Sequence, residues 1–80
     1  MPNLSRNRQD PLLTALGDAI RRVRLEKGLS QEKLALLADV DCSYVGRVER
    51  GDNNVAVLTL ARLVRAMDMS IAEIMVEAGI

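Results

Sequence analysis

At 80 residues, 49% of them hydrophobic, the chain has material for one small domain and not for two. Phe, Trp and His are absent and Cys occurs once, which excludes an intrachain disulfide, a Cys/His zinc set and an aromatic core, leaving Leu, Val, Ile, Ala and Met to fill the interior. The net charge is zero, against the basic balance common in nucleic-acid-binding domains, yet residues 1–30 carry six basic and three acidic residues, so a local basic surface remains open.

Residues 1–11, with Pro2, Asn3, Ser5, Asn7 and Pro11 and little periodicity, read as a flexible arm. Residues 12–80 read as an all-α domain of five helices. Leu13, Leu16, Ile20 and Val23 recur at helical spacing, and Gly28 ends that first helix with a left-handed residue. Ser30 caps the second helix, with Glu32 in the first turn where the helix dipole favours an acid. Asp39 falls in a tight break, where Asp tolerates left-handed backbone better than most residues. Asp41 is placed to cap the third helix and Gly51 to end it.

After the polar loop from Asp52 to Asn54, Val57, Leu60, Ala61, Leu63, Val64 and Met67 build a fourth, amphipathic helix. Ser70 and Glu73 form a capping box for the fifth, and Met69 can staple onto Ile74. Ile71, Ile74, Met75, Val76, Ala78 and Ile80 give this last helix apolar groups on more than one face. Two readings account for them: packing against the first helix, or an interface between two copies of the chain. A core this small is marginal alone, which makes self-association expected.

The segment SQEKLALLADVDCSYVGRVERG, Ser30 to Gly51, carries the most information. Leu34 and the small Ala35 let the second helix cross the third closely, Ala38 and Val40 flank the break, and Val45 and Val48 anchor the second segment. Two helices joined by a short turn are a helix-turn-helix, whose second helix has the width to enter a DNA major groove. At about 100° per residue, Val45, Val48 and Glu49 share the core side of the third helix. Ser43, Arg47 and Arg50 lie opposite, Gly46 near their edge, and Cys42 and Tyr44 on the flanks.

From about Leu16 to Glu77 the chain resembles the Cro/repressor-type helix-turn-helix (XRE) family of transcriptional regulators. The resemblance is carried by IRRVRLEKGLSQEKLA, SYVGRVERG and LTLARLVRAMDMSIAEI, in order and at family spacing. The compact size and the ERGDNN loop ahead of two further helices also resemble small restriction–modification controller proteins, a pattern shared with phage, plasmid and chromosomal regulators. Two positions depart from the family. Asp39 stands where the turn usually has Gly, and Val55 and Ala56 stand where the fourth helix usually begins Pro-Ser. Both departures bear on stability rather than on the DNA face.

The resemblance implies base contacts from Cys42, Ser43, Gly46 and Arg47, and a phosphate contact from Gln31 at the start of the second helix. Arg47 has the chemistry to bond a guanine through O6 and N7, and Ser43 to bond several base edges. Asn53 and Asn54 are candidate phosphate contacts, with turn formation as the alternative. Arg50 is a further candidate, with a solvated charge at the helix end as the alternative. Tyr44 either offers its hydroxyl to a phosphate or covers the helix flank with its ring. Arg24 occupies the family position whose partner is the acid matching Glu49, which implies a partly buried ion pair of structural role, since a lone inward carboxylate is costly.

An enzyme is not expected: there is no His, no Gly-rich phosphate loop and no paired carboxylates. Cys42, near a helix N-terminus, has the chemistry of a nucleophile or redox sensor, but such a cysteine more often serves as a passive small residue. No run is long and apolar enough to cross a membrane and no signal-peptide core is present, so a cytoplasmic protein is expected. The expected function is a homodimeric regulator reading an inverted repeat in double-stranded DNA, its recognition helices about 34 Å apart. Met69, Ile71, Met75 and Ile80 are the candidate dimer contacts; Glu32 is a candidate contact with RNA polymerase, though its dipole role already explains it, and Arg6 and Arg8 are candidate minor-groove residues, with a disordered arm as the favoured alternative. No effector domain or small-molecule effector is evident. The alternative is a protein-interaction module, such as an antitoxin that holds its partner through the C-terminal helix.

Overall fold

The computed structural model describes residues 9–80, which form five helices: α1 (Pro11–Glu26), α2 (Gln31–Ala38), α3 (Cys42–Glu49), α4 (Val57–Ala66) and α5 (Ile71–Ala78). Local chemistry explains most of the boundaries. Asp10 Oδ1 accepts from the Leu12 amide at 2.9 Å and Pro11 takes the first helical position, where its missing N–H costs nothing. Gly28 follows α1 at φ +72°. Ser30 Oγ accepts from the Lys33 amide at 3.0 Å to start α2, and Asp39 ends it in the left-handed region at φ 59° and ψ 48°. Ser70 and Glu73 form the reciprocal capping box of α5, with bonds of 2.8 and 3.0 Å.

Several expectations need correction. The arm does not run to residue 11: Asp10 and Pro11 belong to the start of α1, and the Gln9 amide donates to the Gly51 carbonyl at 2.6 Å. Arg6 and Arg8 lie outside the described residues. Asp41 holds the N-cap position of α3 but makes no side-chain cap bond; its side chain instead borders a recess with Tyr44 and Arg47. Val57, placed by periodicity on the buried stripe of α4, is 70% exposed because it is the first residue of the helix and stands at the rim of a groove, beyond the core. Ala56 before it caps nothing.

The core is aliphatic. Ile20, Leu34, Val45, Leu63, Val64, Met67 and Ile74 are fully buried, drawn from all five helices and the residue after α4. Each such side chain contributes roughly 1.5–3 kcal/mol relative to exposure. Ile74 is the only wholly buried residue of α5, which packs on α1 and α4; Val76 and Ile80 remain exposed.

Gly17 sets the spacing between α1 and α3. A Cβ on it would stand 2.7 Å from the Glu49 carbonyl oxygen, with the Val48 carbonyl also in its way. Only a residue without a side chain lets the backbone of α3 approach this closely, so α1 holds the recognition helix at its base.

Candidate nucleic-acid interface

Helix α3 presents two different faces. Val45, Val48 and Glu49 are turned inward, while Ser43 and Arg50 are exposed and Cys42, Tyr44 and Arg47 are half-buried. The inward carboxylate is compensated. Arg24 Nε donates to Glu49 Oε2 at 2.6 Å and Nη2 to Oε1 at 3.1 Å, while Nη1 donates to the Leu29 carbonyl at 2.8 Å. The structure thus brings Arg24 and Glu49 together as a buried, bidentate pair, with both side chains under 10% exposed. The same three bonds join the end of α1, the connection to α2 and the end of α3.

Gln31 reaches this pair as well, donating from Nε2 to Glu49 Oε1 at 3.0 Å. Its amide therefore already spends one donor inside the protein, and a phosphate would draw on the second N–H. Gly46 is buried rather than open at the edge of the groove-facing side: a Cβ there would stand 3.2 Å from Arg50 Nη1 and 3.8 Å from either polar atom of the Gln31 side chain. A helical wheel of α3 alone misses this, because the cover comes from a residue of α2 and from the next turn of α3. Gly46 leaves room for Gln31 and Arg50 to close over the helix; it offers no free surface of its own to a base.

Arg50 is exposed and pairs through Nε with Asp52 Oδ2 at 3.1 Å. Gln9 fastens the same loop from the other side, with Nε2 donating to the Arg50 carbonyl at 2.8 Å and to Asp52 Oδ1 at 2.6 Å. In that loop Asn54 is exposed, whereas Asn53 is half-buried with an Oδ1 that finds no hydrogen-bond partner among the described residues. Sequence reasoning missed Gln9 and Gly17. A glycine inside a helical pattern does signal close approach, but Gln9 carried no signal at all.

Tyr44 turns toward α4. Burial raises its phenol above the ordinary pKa, while a hydrogen-bonding interaction with Thr59 and the charge of Arg47 both pull it down. The ring covers the flank of α3, and the guanidinium of Arg47 lies over it, 5.7 Å from the ring centroid. Arg47 Nη1 also donates to Ser43 Oγ at 3.4 Å, a long contact. Among the described residues no group of His, Cys, Asp and Glu is arranged to hold a metal ion, and no helix is long and apolar enough to cross a membrane.

Comparison with known proteins gives this arrangement its relatives. A helix-turn-helix family model matches residues 20–74. The chain is 34% identical over 65 residues to the control protein C.SmaI of Serratia marcescens, covering 81% of this chain and 77% of that one. Among solved structures, the restriction–modification controller protein C.AhdI from Aeromonas hydrophila is similar at a TM-score of 0.76 and 45% identity, covering 78% of this chain and 94% of its own. The clp gene regulator ClgR from C. glutamicum is similar at a TM-score of 0.82 and 35% identity, covering 85% and 87%. With α2 and α3 as its two-helix reading unit, the chain belongs to the Cro/repressor-type (XRE) helix-turn-helix family of DNA-binding transcriptional regulators, and is like the restriction–modification controllers within it.

Proposed function

We propose that the protein binds DNA as a homodimer and reads an inverted repeat, one recognition helix α3 in each of two successive major grooves. The observation that carries the dimer is an apolar groove between the start of α1, the start of α4 and the end of α5. Leu12, Leu13, Val55, Val57, Met75 and Ile80 line it. Leu12, Val57 and Ile80 are more than half exposed, and Leu58 beside them is 80% exposed. A second copy of the chain is the occupant that hides this surface and places two α3 helices on one DNA face. Of the four residues expected at the interface, Met75 and Ile80 border the groove, while Met69 and Ile71 are half-buried against the core.

Within each half-site, Arg47 and Ser43 are the base-reading residues, with Cys42 at the leading edge of α3. Gln31, Arg50 and the Asn53–Asn54 loop hold phosphates and so fix register without reading sequence. Glu32 is exposed in the first turn of α2, where the helix dipole favours an acid, and is the candidate contact for RNA polymerase.

Selection of binding sites from a random duplex pool at two salt concentrations tests the reading. A two-fold-symmetric site, lost on Arg47→Ala, is the expected result. A salt-sensitive background with no preferred site would overturn it.

A further inference from the structure

The segment entering α1 and the loop leaving α3 are fastened to each other. Gln9 lies in the left-handed region at φ 64°, uncommon for a residue with a side chain, and its backbone amide donates to the Gly51 carbonyl at 2.6 Å. Gly51 is itself left-handed at φ +77° and pressed against the first turn of α1, where a Cβ on it would stand 2.9 Å from Thr14 Cα. The Gln9 side-chain amide has two N–H groups and places both. One goes to the Arg50 carbonyl at 2.8 Å, the other to Asp52 Oδ1 at 2.6 Å.

Asp52 passes this restraint on to Arg50. Its side chain is only 15% exposed, and Oδ2 accepts from Arg50 Nε at 3.1 Å. Nη1 of the same guanidinium lies over Gly46 beside Gln31. The planar fork is thus held by its Nε edge, while the N–H groups on Nη1 and Nη2, which suit a phosphate, take no part in that bond. An ion pair with an arginine this exposed, at 61%, adds little to stability. What it does supply is a guanidinium with fewer rotamers to lose when a phosphate binds.

We infer that Gln9 is a positioning residue for DNA binding: through the Arg50 carbonyl and the Asp52 carboxylate it holds the Arg50 guanidinium ready for a phosphate, without itself touching DNA. Both of its side-chain donors are spent inside the protein, and its remaining oxygen, an acceptor, has nothing to offer a phosphate. This rests on the proposal that Arg50 is a phosphate contact. The residue ahead of α1 thereby takes part in DNA affinity, although it lies outside the two-helix reading unit.

The test uses the full chain with Gln9→Met, which keeps the length of an exposed side chain, adds no charge and removes both donors. Operator and random duplex are titrated by fluorescence anisotropy over a salt series, at a temperature where circular dichroism shows each variant folded. Gln9→Met is expected to bind both about two- to tenfold more weakly, the scale of immobilising one rotamer-rich side chain. Base preference and salt slope stay unchanged, because Arg50 keeps its charge. In an Arg50→Ala background, Gln9→Met is expected to add nothing. In the free protein, the Arg50 Nε–H signal in nuclear magnetic resonance is expected to exchange with water faster in Gln9→Met than in the parent.

Undiminished affinity in Gln9→Met, a loss that persists without Arg50, a salt slope reduced as far as in Arg50→Ala, or unaltered exchange at Arg50 Nε would each overturn the inference while leaving Arg50 as a phosphate contact. Unchanged affinity and salt slope in Arg50→Ala itself would remove the phosphate reading and the inference with it.

Discussion

Arg24 grips Glu49 through both carboxylate oxygens, at 2.6 and 3.1 Å, in a pair almost wholly removed from solvent. Such a pair need not stabilise the fold more than apolar residues of equal volume would, but removing one member strands the other. Glu49→Ala leaves the buried guanidinium with only the Leu29 carbonyl, and is expected to cost about 3–5 kcal/mol, a large share of the stability of any small domain. Chemical denaturation measures it. The base preference of the fraction still folded is expected to be unchanged; an altered preference at unaltered melting temperature would sink the structural role.

Gly17→Ala sets two effects against each other. Alanine in a helix interior is favoured over glycine by about 1 kcal/mol. The new Cβ, however, meets two backbone carbonyls of α3, which cannot rotate away as a side chain can. Forced overpacking costs typically about 1–3 kcal/mol, so the balance is expected to be destabilising. Greater stability in thermal unfolding would show that α1 and α3 can part without loss.

What was legible in the sequence was local. Gly28, Ser30, Asp39, Ser70 and Glu73 act within four residues of their positions, and the helices begin and end where those residues require. The inward turn of Val45, Val48 and Glu49 followed from helical periodicity alone. Arg24 as the partner of Glu49 came only from family resemblance, since nothing in 25 residues of separation points to it. Two misreadings were local, the cap bond that Asp41 does not make and the start of α1 at Asp10 and Pro11; the others were non-local. Gln9 meets Arg50 and Asp52 across 41 and 43 residues, Gly46 is covered by Gln31, and Val57 borders a groove that α1 and α5 complete. A periodic pattern says which side of a helix is apolar; it does not say where the neighbouring helix stops.

Ala56 marks a place where stability was left unused. It holds the N-cap position of α4 at φ −69° and ψ 147°, suited to a capping residue, but has no oxygen to offer. Ala56→Ser is expected to stabilise the protein by about 1 kcal/mol. Because Ala56 lies outside α2 and α3, operator preference is expected to stay the same. Denaturation midpoints compared with site-selection profiles check both halves.

Arg50 and Arg47 are expected to separate in their salt dependence. Arg50 is exposed and tied at Nε to Asp52, with Nη1 lying over Gly46 beside Gln31. As a phosphate contact, Arg50→Ala is expected to weaken binding to all sequences alike and to reduce the salt slope by about 0.9. Arg47→Ala is expected to relax preference at one base pair, at a cost of about 1–3 kcal/mol. Filter binding or anisotropy over a salt series distinguishes them, and a sequence-selective effect of Arg50→Ala would move that residue to the base-reading group.

The groove prediction turns on a charge placed where the surface is expected to close. Leu58 is 80% exposed, so in an isolated chain Leu58→Lys breaks no core contact and is expected to leave intrinsic helix packing intact. In a dimer sealed through this face it buries an unpaired ammonium, which is costly, and self-association is expected to fall by at least an order of magnitude. Sedimentation over a concentration series reads the assembly directly. Operator binding is expected to fall with it, because one copy engages half of an inverted repeat, while binding to a single half-site is preserved. Undiminished dimerisation would place the interface elsewhere. A dimer lost with operator affinity retained would instead detach DNA recognition from the two-fold arrangement.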